Sequence, residues 1–192
     1  MLLLMSILRI CVPHFLSLGV VLLGACTTES IPKEDIETPD FDDQTTDGID
    51  FENILSDHNN ARSLVSSPPL KWNNNLAASS QQWANGCLIG HDPQRDFEGT
   101  VFGENIAAGT FGFSVENLGK LWIDEEIDFW NCQNNTCSQE PCGHYTQIIW
   151  KNTEEIGCAA SVCGNQNFLV CRYLPAGNVR GERPVSVSDC QN

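Results

Sequence analysis

Cysteine is a reactive residue type that occurs ten times in this 192-residue chain. Cys11 and Cys26 lie at the amino-terminal end, and the other eight lie between Cys87 and Cys190. Loss of a cleaved amino-terminal segment would discard Cys11 and leave nine. An odd number is unexpected in an exported protein that pairs its thiols.

The segment before Cys26 resolves this odd count. An apolar run from Phe15 to Leu23 leads into Leu23-Gly24-Ala25-Cys26, which is similar to a bacterial lipobox. A short apolar core that ends in small residues is typical of a cleaved secretory signal and is too short to span a membrane. We therefore expect a lipoprotein signal peptide at 1–25 and a lipid anchor to the membrane on Cys26. Eight cysteines then remain, enough for four disulfides in an oxidising compartment.

A eukaryotic signal peptide, with Cys26 free or removed, is the alternative interpretation of this end of the chain. Under the lipoprotein interpretation, the residue after the lipidated cysteine indicates which membrane holds the protein. Thr27 rather than Asp follows Cys26, which favours the outer membrane in a cell that has two. The expected location is extracytoplasmic, either anchored to the envelope or secreted.

Local sequence motifs do not identify a catalytic centre. There is no His-Glu-x-x-His, no Gly-x-Ser-x-Gly and no phosphate-binding Gly-Lys-Thr loop. Cys142 lies two positions before His144, a pair that a cysteine hydrolase would use. The remaining histidines of the mature chain lie on separate segments, and their spacing alone predicts no site.

Negative charge is concentrated near the amino terminus. The chain carries a net charge of -15, and residues 27–52 hold ten acidic residues against Lys33 alone. Acidic segments with few aromatic residues are typical of disorder, so we expect a disordered tether at 26–49. Since no basic stripe is present, nucleic-acid binding has no electrostatic support.

The rest of the chain, 50–192, is long enough for one core. Apolar spacing predicts a helix from Phe51 that stops before Ser67-Pro68-Pro69, a second at Asn74–Asn85 and a third within Phe113–Phe129. Three strand-like runs follow, at Thr146–Lys151, Ile156–Val162 and Phe168–Leu174. Helices followed by clustered strands indicate an α+β domain with an antiparallel sheet.

The segment from Phe97 to Phe113 is rich in glycine and shows no periodicity. Long segments of this kind tend to be binding loops or loosely ordered. Its four phenylalanines either border an apolar groove or anchor the loop. They are Phe97, Phe102, Phe111 and Phe113.

Five patterns resemble signatures of the cysteine-rich secretory, antigen 5 and pathogenesis-related (CAP, or SCP) superfamily, in the family order. They are His-Asn-x-x-Arg at His58–Arg62, Gly-Glu-Asn-Ile at Gly103–Ile106, Leu-Trp-x-x-Glu at Leu121–Glu125, and the two long motifs at Gly143–Trp150 and Phe168–Val179. The resemblance implies a three-layer α-β-α sandwich with a small antiparallel sheet, stapled by disulfides.

The resemblance also implies a central cleft lined by two histidines and two glutamates, here His58, Glu104, Glu125 and His144. Imidazole and carboxylate suit a divalent cation such as zinc. Glu104 or Glu125 would otherwise take a proton from metal-bound water in a hydrolysis. A hydrogen-bonded network that ties a helix to a loop is the structural alternative. His91 is expected to be structural and to take no part in the cleft.

The resemblance gives three disulfide pairs, at positions that plant relatives pair: Cys87–Cys163, Cys137–Cys142 and Cys158–Cys171. The two cysteines that remain form the fourth pair, Cys132–Cys190. Because a disulfide-bonded sulfur is no nucleophile, the pairing of Cys142 argues against the Cys–His hydrolase.

Three functions follow as hypotheses. The first is a non-enzymatic binding module for a lipid, a sterol or a protein partner, with a cation-capable cleft. The second is a metal-dependent hydrolase or protease that uses the tetrad. The third is a structural or adhesive surface protein. No catalytic residue is assigned under the first.

Overall fold

The computed structural model describes residues 50–190, except 98, 111 and 125. The predicted signal peptide at 1–25, the lipidation of Cys26 and the tether at 26–49 therefore lie outside the described residues. Within the described part, no helix is both long and apolar enough to cross a membrane.

Four helices form. They are α1 (Phe51–Ser63), α2 (Asn74–Asn85), α3 (Val115–Asp124) and α4 (Gly143–Ile148). The side chains of Asp50 and Asn73 cap α1 and α2 by accepting hydrogen bonds from backbone N–H groups of the first turn. The bounds of α2 are those that the apolar spacing predicts.

The strands form one main sheet and two short hairpins. The main sheet has the order β1-β7-β8-β4, in which β1 (Lys71–Trp72) is parallel to β7 (Glu155–Cys163). The long strands β7, β8 (Gln166–Leu174) and β4 (Gly103–Thr110) are antiparallel. The hairpins are β2 (Asp96–Phe97) with β3 (Thr100–Val101) and β5 (Trp130–Asn131) with β6 (Thr136–Cys137).

Helices cover both faces of the main sheet, so the expected α-β-α sandwich is confirmed. Helix α2 packs on β7 and β8 from one side, and α1, α3 and α4 pack from the other. Gly157 permits the close approach of α2, since a Cβ at this position would lie 2.2 Å from the backbone nitrogen of Ala77. The larger core, between the sheet and α1, α3 and α4, includes Ile54, Leu118 and Leu169.

Two predictions about secondary structure were wrong. The run Thr146–Lys151 was expected to be a strand, but its first half belongs to α4. A short apolar run does not distinguish a buried strand from a buried helical turn. The segment Phe97–Phe113 was expected to be a loop, yet it contains β4, a full strand of the main sheet. Small residues such as Ala107 and Gly109 carry little strand signal.

Four disulfides staple the domain, in the pairs that the sequence predicts. Cys87–Cys163 joins the end of α2 to the end of β7, and Cys158–Cys171 joins β7 to β8. Cys132–Cys190 ties the carboxy-terminal segment to the β5–β6 region. Cys137–Cys142 closes a short loop before α4.

Candidate functional site

A histidine–glutamate pair joins α4 to the turn that follows α3. His144 donates from Nδ1 to Glu126 Oε1 at 2.5 Å, and the Tyr145 backbone N–H donates to Glu126 Oε2 at 3.0 Å. Glu126 is buried, whereas the His144 side chain is 24% exposed. The indole of Trp122 stacks on the imidazole, with ring centroids 5.7 Å apart. The carboxylate therefore fixes the ring and holds its Nδ1 as a donor.

A second histidine–glutamate pair forms at the amino-terminal end of β4. His91 Nδ1 lies 2.9 Å from Glu104 Oε1, which also accepts the Asp92 backbone N–H at 2.9 Å. The Glu104 side chain is fully buried, and the His91 side chain is 49% exposed. Arg172 faces the other carboxylate oxygen, with Nε 3.3 Å from Oε2. The burial of the Glu104 charge is thus offset by a guanidinium and two further donors.

The Arg172 guanidinium is itself held on all sides. It pairs with Asp92 at 2.7 Å, donates to the backbone oxygen of Ser79 at 2.9 Å, and lies 4.3 Å from the centroid of the Phe102 ring. These contacts join α2, β4 and β8 around Glu104. The position of the Glu104–His91 pair is consequently set by α2 and the main sheet.

His58 is not in the environment that the resemblance implies for it. It is 1% exposed; Nδ1 donates to the Ile54 carbonyl at 2.8 Å, and Nε2 accepts from the Tyr173 hydroxyl at 2.8 Å. Burial lowers the pKa of His58 to about 4, although the hydrogen bond to Ile54 opposes the shift. Both ring nitrogens are used within the protein, so this neutral imidazole has no lone pair left for a metal.

The structure therefore groups the predicted residues differently. Glu104 contacts His91, which was expected to stay outside the cleft, and His144 contacts Glu126, which was not predicted. Glu125, the predicted glutamate, lies outside the described residues. The only sequence feature that pointed to Glu126 was its place beside Glu125 in the run Glu125-Glu126. Because α3 ends at Asp124, helical spacing could not show which of the two glutamates faces His144.

The two histidine–glutamate pairs attach to consecutive residues of one strand. Glu104 holds His91, and the side chain of Asn105 donates to the His144 carbonyl at 3.1 Å. In the described part of the chain, no three His, Cys, Asp or Glu side chains converge on a point that would hold an ion. No described residue bonds Nε2 of His91 or His144. A cation at either pair would thus be held by an imidazole Nε2 atom and completed by water or a ligand.

The phenylalanines of Phe97–Phe113, predicted either to border an apolar groove or to anchor the loop, differ in burial where they can be placed. Phe102 is 2% exposed and lies beneath Arg172, so it anchors the loop. Phe113 is 45% exposed. The side chains of Phe97 and Phe111 lie outside the described part.

Comparison with known proteins is consistent with this architecture. The model of the cysteine-rich secretory protein family (CAP) matches residues 55–173. This chain belongs to that family. Pathogenesis-related protein 1A of Nicotiana tabacum is 36% identical over 140 residues, which cover 69% of this chain and 79% of that protein. GLIPR1-like protein 1 of Mus musculus is 36% identical over 162 residues, covering 75% of this chain and 67% of that protein.

A solved structure has a similar fold. Venom allergen-like protein 4 of Schistosoma mansoni has a TM-score of 0.59 and 31% identity, covering 72% of this chain and 97% of that one. The matched region contains both histidine–glutamate pairs described above. The CAP relatives and the four disulfides fit an extracellular location.

Proposed function

We propose that this CAP protein is an extracytoplasmic binding module, held at a membrane by lipid on Cys26, in which His91 and His144 bind a divalent cation. One observation carries the proposal: each imidazole has its Nδ1 engaged by a buried carboxylate. Metal-ligating histidines usually donate their second nitrogen to a carboxylate, which orients the ring and makes Nε2 more basic.

The chemistry of these groups favours zinc or a similar transition metal. Neutral imidazole is a good ligand for such ions, and the two buried glutamates supply negative charge close by. With two protein ligands, positions remain for water or for an anionic group of a lipid or protein partner. The hydrolase hypothesis needs a base beside metal-bound water, and both described carboxylates already orient histidines.

Calorimetric titration of zinc into metal-free protein at pH 7.5 tests the proposal. His144→Gln and His91→Gln should each weaken binding about tenfold or more, because each removes one of two imidazole ligands. Binding should also weaken at pH 5.5, because protons compete with the metal for imidazole nitrogen. Glu182→Gln, an exposed change on a different segment, serves as the matched control and should bind as wild type does.

Absence of zinc binding by the wild type, or unchanged binding by both histidine variants, would contradict the proposal. The anchor has its own test: intact-mass measurement of the envelope protein should show an acylated Cys26. An unmodified amino terminus would remove the anchor and leave the cation site unaffected.

A further inference from the structure

Strand β4 forms one edge of the main sheet. The direction of its backbone groups follows from the neighbouring strands. Ile156 of β7 accepts from Asn73 beyond β1, so even-numbered residues of β7 point away from β8. Hydrogen-bonded and non-hydrogen-bonded pairs alternate in antiparallel ladders. The registers Gly157↔Arg172 and Gly103↔Tyr173 then turn the even-numbered residues of β4 outward.

The outward N–H and C=O groups of β4 are available for pairing with another strand. They belong to Glu104, Ile106, Ala108 and Thr110, and of these only the Thr110 carbonyl has a backbone partner among the described residues, the Phe113 N–H. Ala108 and Thr110 are exposed, and Ile106 is half-buried. Ile106, Ala108 and Thr110 carry six outward N–H and C=O groups, and five of them have no backbone partner among the described residues.

The described residues of this edge include none of the features that prevent strand pairing. Exposed edges are usually protected by charge, proline or a bulge. The stretch Ile106–Thr110 contains no charged residue and no proline, and its register with β8 is continuous. The one charged residue of the strand, Glu104, is buried against Arg172 and His91.

We propose that the β4 edge pairs with the β4 edge of a second copy, as an antiparallel two-fold ladder that joins two sheets into one. In such a ladder, the even-numbered residues of one β4 must lie opposite the even-numbered residues of the other, because these carry the outward N–H and C=O groups. Every second register is therefore excluded. The register with Ala107 opposite itself engages the most backbone groups. It places Ile106 opposite Ala108 of the other copy, and Glu104 opposite Thr110.

A second copy suits this edge because the edge is self-complementary. A two-fold interface brings the same patch together from both copies, which disfavours any patch with charge at its centre. Here the central residues, Ile106 to Ala108, are uncharged, so like charges do not meet. The chain is otherwise acidic, at -15, so the two copies repel at long range. Added salt should therefore tighten the pairing.

Disulfide trapping in the full mature chain tests the register. Ala107 residues in a non-hydrogen-bonded pair would have Cα atoms about 4.5 Å apart, within the range that a disulfide spans. Ala107→Cys should therefore give a reducible covalent dimer under mild oxidation. Ala78→Cys, at an exposed position of α2, controls for random cross-linking and should remain monomeric.

Sedimentation equilibrium supplies a test without new thiols. Ala108→Pro removes an outward N–H that β8 does not use, and proline is tolerated at such edge positions. It should raise the dimer dissociation constant about tenfold or more while the unfolding midpoint changes little. A wild-type chain that is monomeric at roughly 100 µM and moderate salt would overturn the proposal. So would equal cross-linking of Ala107→Cys and Ala78→Cys.

Discussion

Polar residues are buried in two regions of this domain, and the regions use them differently. In α1, His58 and Arg62 direct every ring nitrogen and most guanidinium donors to groups of the protein itself. Beside β4, His91 and His144 each give one nitrogen to a carboxylate and remain partly exposed. A histidine in a family motif is therefore a ligand candidate only when one ring nitrogen has no partner within the protein. The motif His58–Arg62 serves the fold.

Arg62→Met should have the largest effect, a loss of about 4 kcal/mol in the free energy of unfolding. Arg62 is fully buried and donates to the carbonyls of Pro68, Ile148, Trp150 and Thr153 at 2.6–2.9 Å. The variant leaves these carbonyls without their donor. Urea unfolding measures the loss, and Arg180→Met, at an exposed position, is the control. A loss below about 1 kcal/mol would show that α1 does not depend on this network.

Acidification should destabilise the domain through His58. Its folded pKa of about 4 lies below the unfolded value of 6.5, so the unfolded chain binds the proton first. The stabilising contribution is complete above pH 6.5 and falls as pH drops toward 4, by up to about 3 kcal/mol. Urea unfolding at pH 7 and pH 4.5 measures the decline. In His58→Asn the decline should be smaller by most of this amount. An unchanged decline would mean that groups other than His58 cause the loss of stability.

Tyr173→Phe should cost less, about 1–2 kcal/mol, because it removes one hydroxyl and leaves Nε2 of His58 without its donor. Burial raises the pKa of Tyr173 well above its usual value, so the hydroxyl remains a donor at neutral pH. Thermal unfolding checks the loss. Zinc affinity should stay as in wild type, and a lower affinity would mean that the two regions are coupled.

Glu126→Gln should have the smallest effect on stability and a selective effect on the site. The amide still accepts from the Tyr145 backbone, but it supplies no charge to His144. Loss of such a supporting carboxylate lowers metal affinity about 10–100-fold. Zinc titration of this variant beside Glu182→Gln measures the difference. If Glu126→Gln binds zinc with wild-type affinity, Glu126 supports the fold and not the cation site.

Much of the scaffold follows from the sequence. Asn73 and Asn85 bound α2 because a capping side chain begins the helix and the apolar spacing ends there. The strands β7 and β8 were predicted within a few residues because both are apolar and bounded by turns. Family resemblance supplied the three-layer order and three of the four cysteine pairs.

The site was harder to predict, for physical reasons. The two histidine–glutamate contacts span sequence separations of 13 and 18 residues, which no helical or strand period describes, and the choice between Glu125 and Glu126 depends on a turn. His58 and His91 differ in burial, which sequence type alone does not reveal. β4 escaped prediction because alanine and glycine give a strand no apolar alternation.

The central claim is that His91 and His144, and not His58, present nitrogen to a cation. Proton–nitrogen correlation spectra of the imidazole rings, recorded as zinc is added to metal-free protein, test it most directly. We expect the Nε2 signals of His91 and His144 to shift together and saturate, while His58 keeps its single tautomer with the proton on Nδ1. A shift confined to His58, or no shift at His91 and His144, would contradict the account.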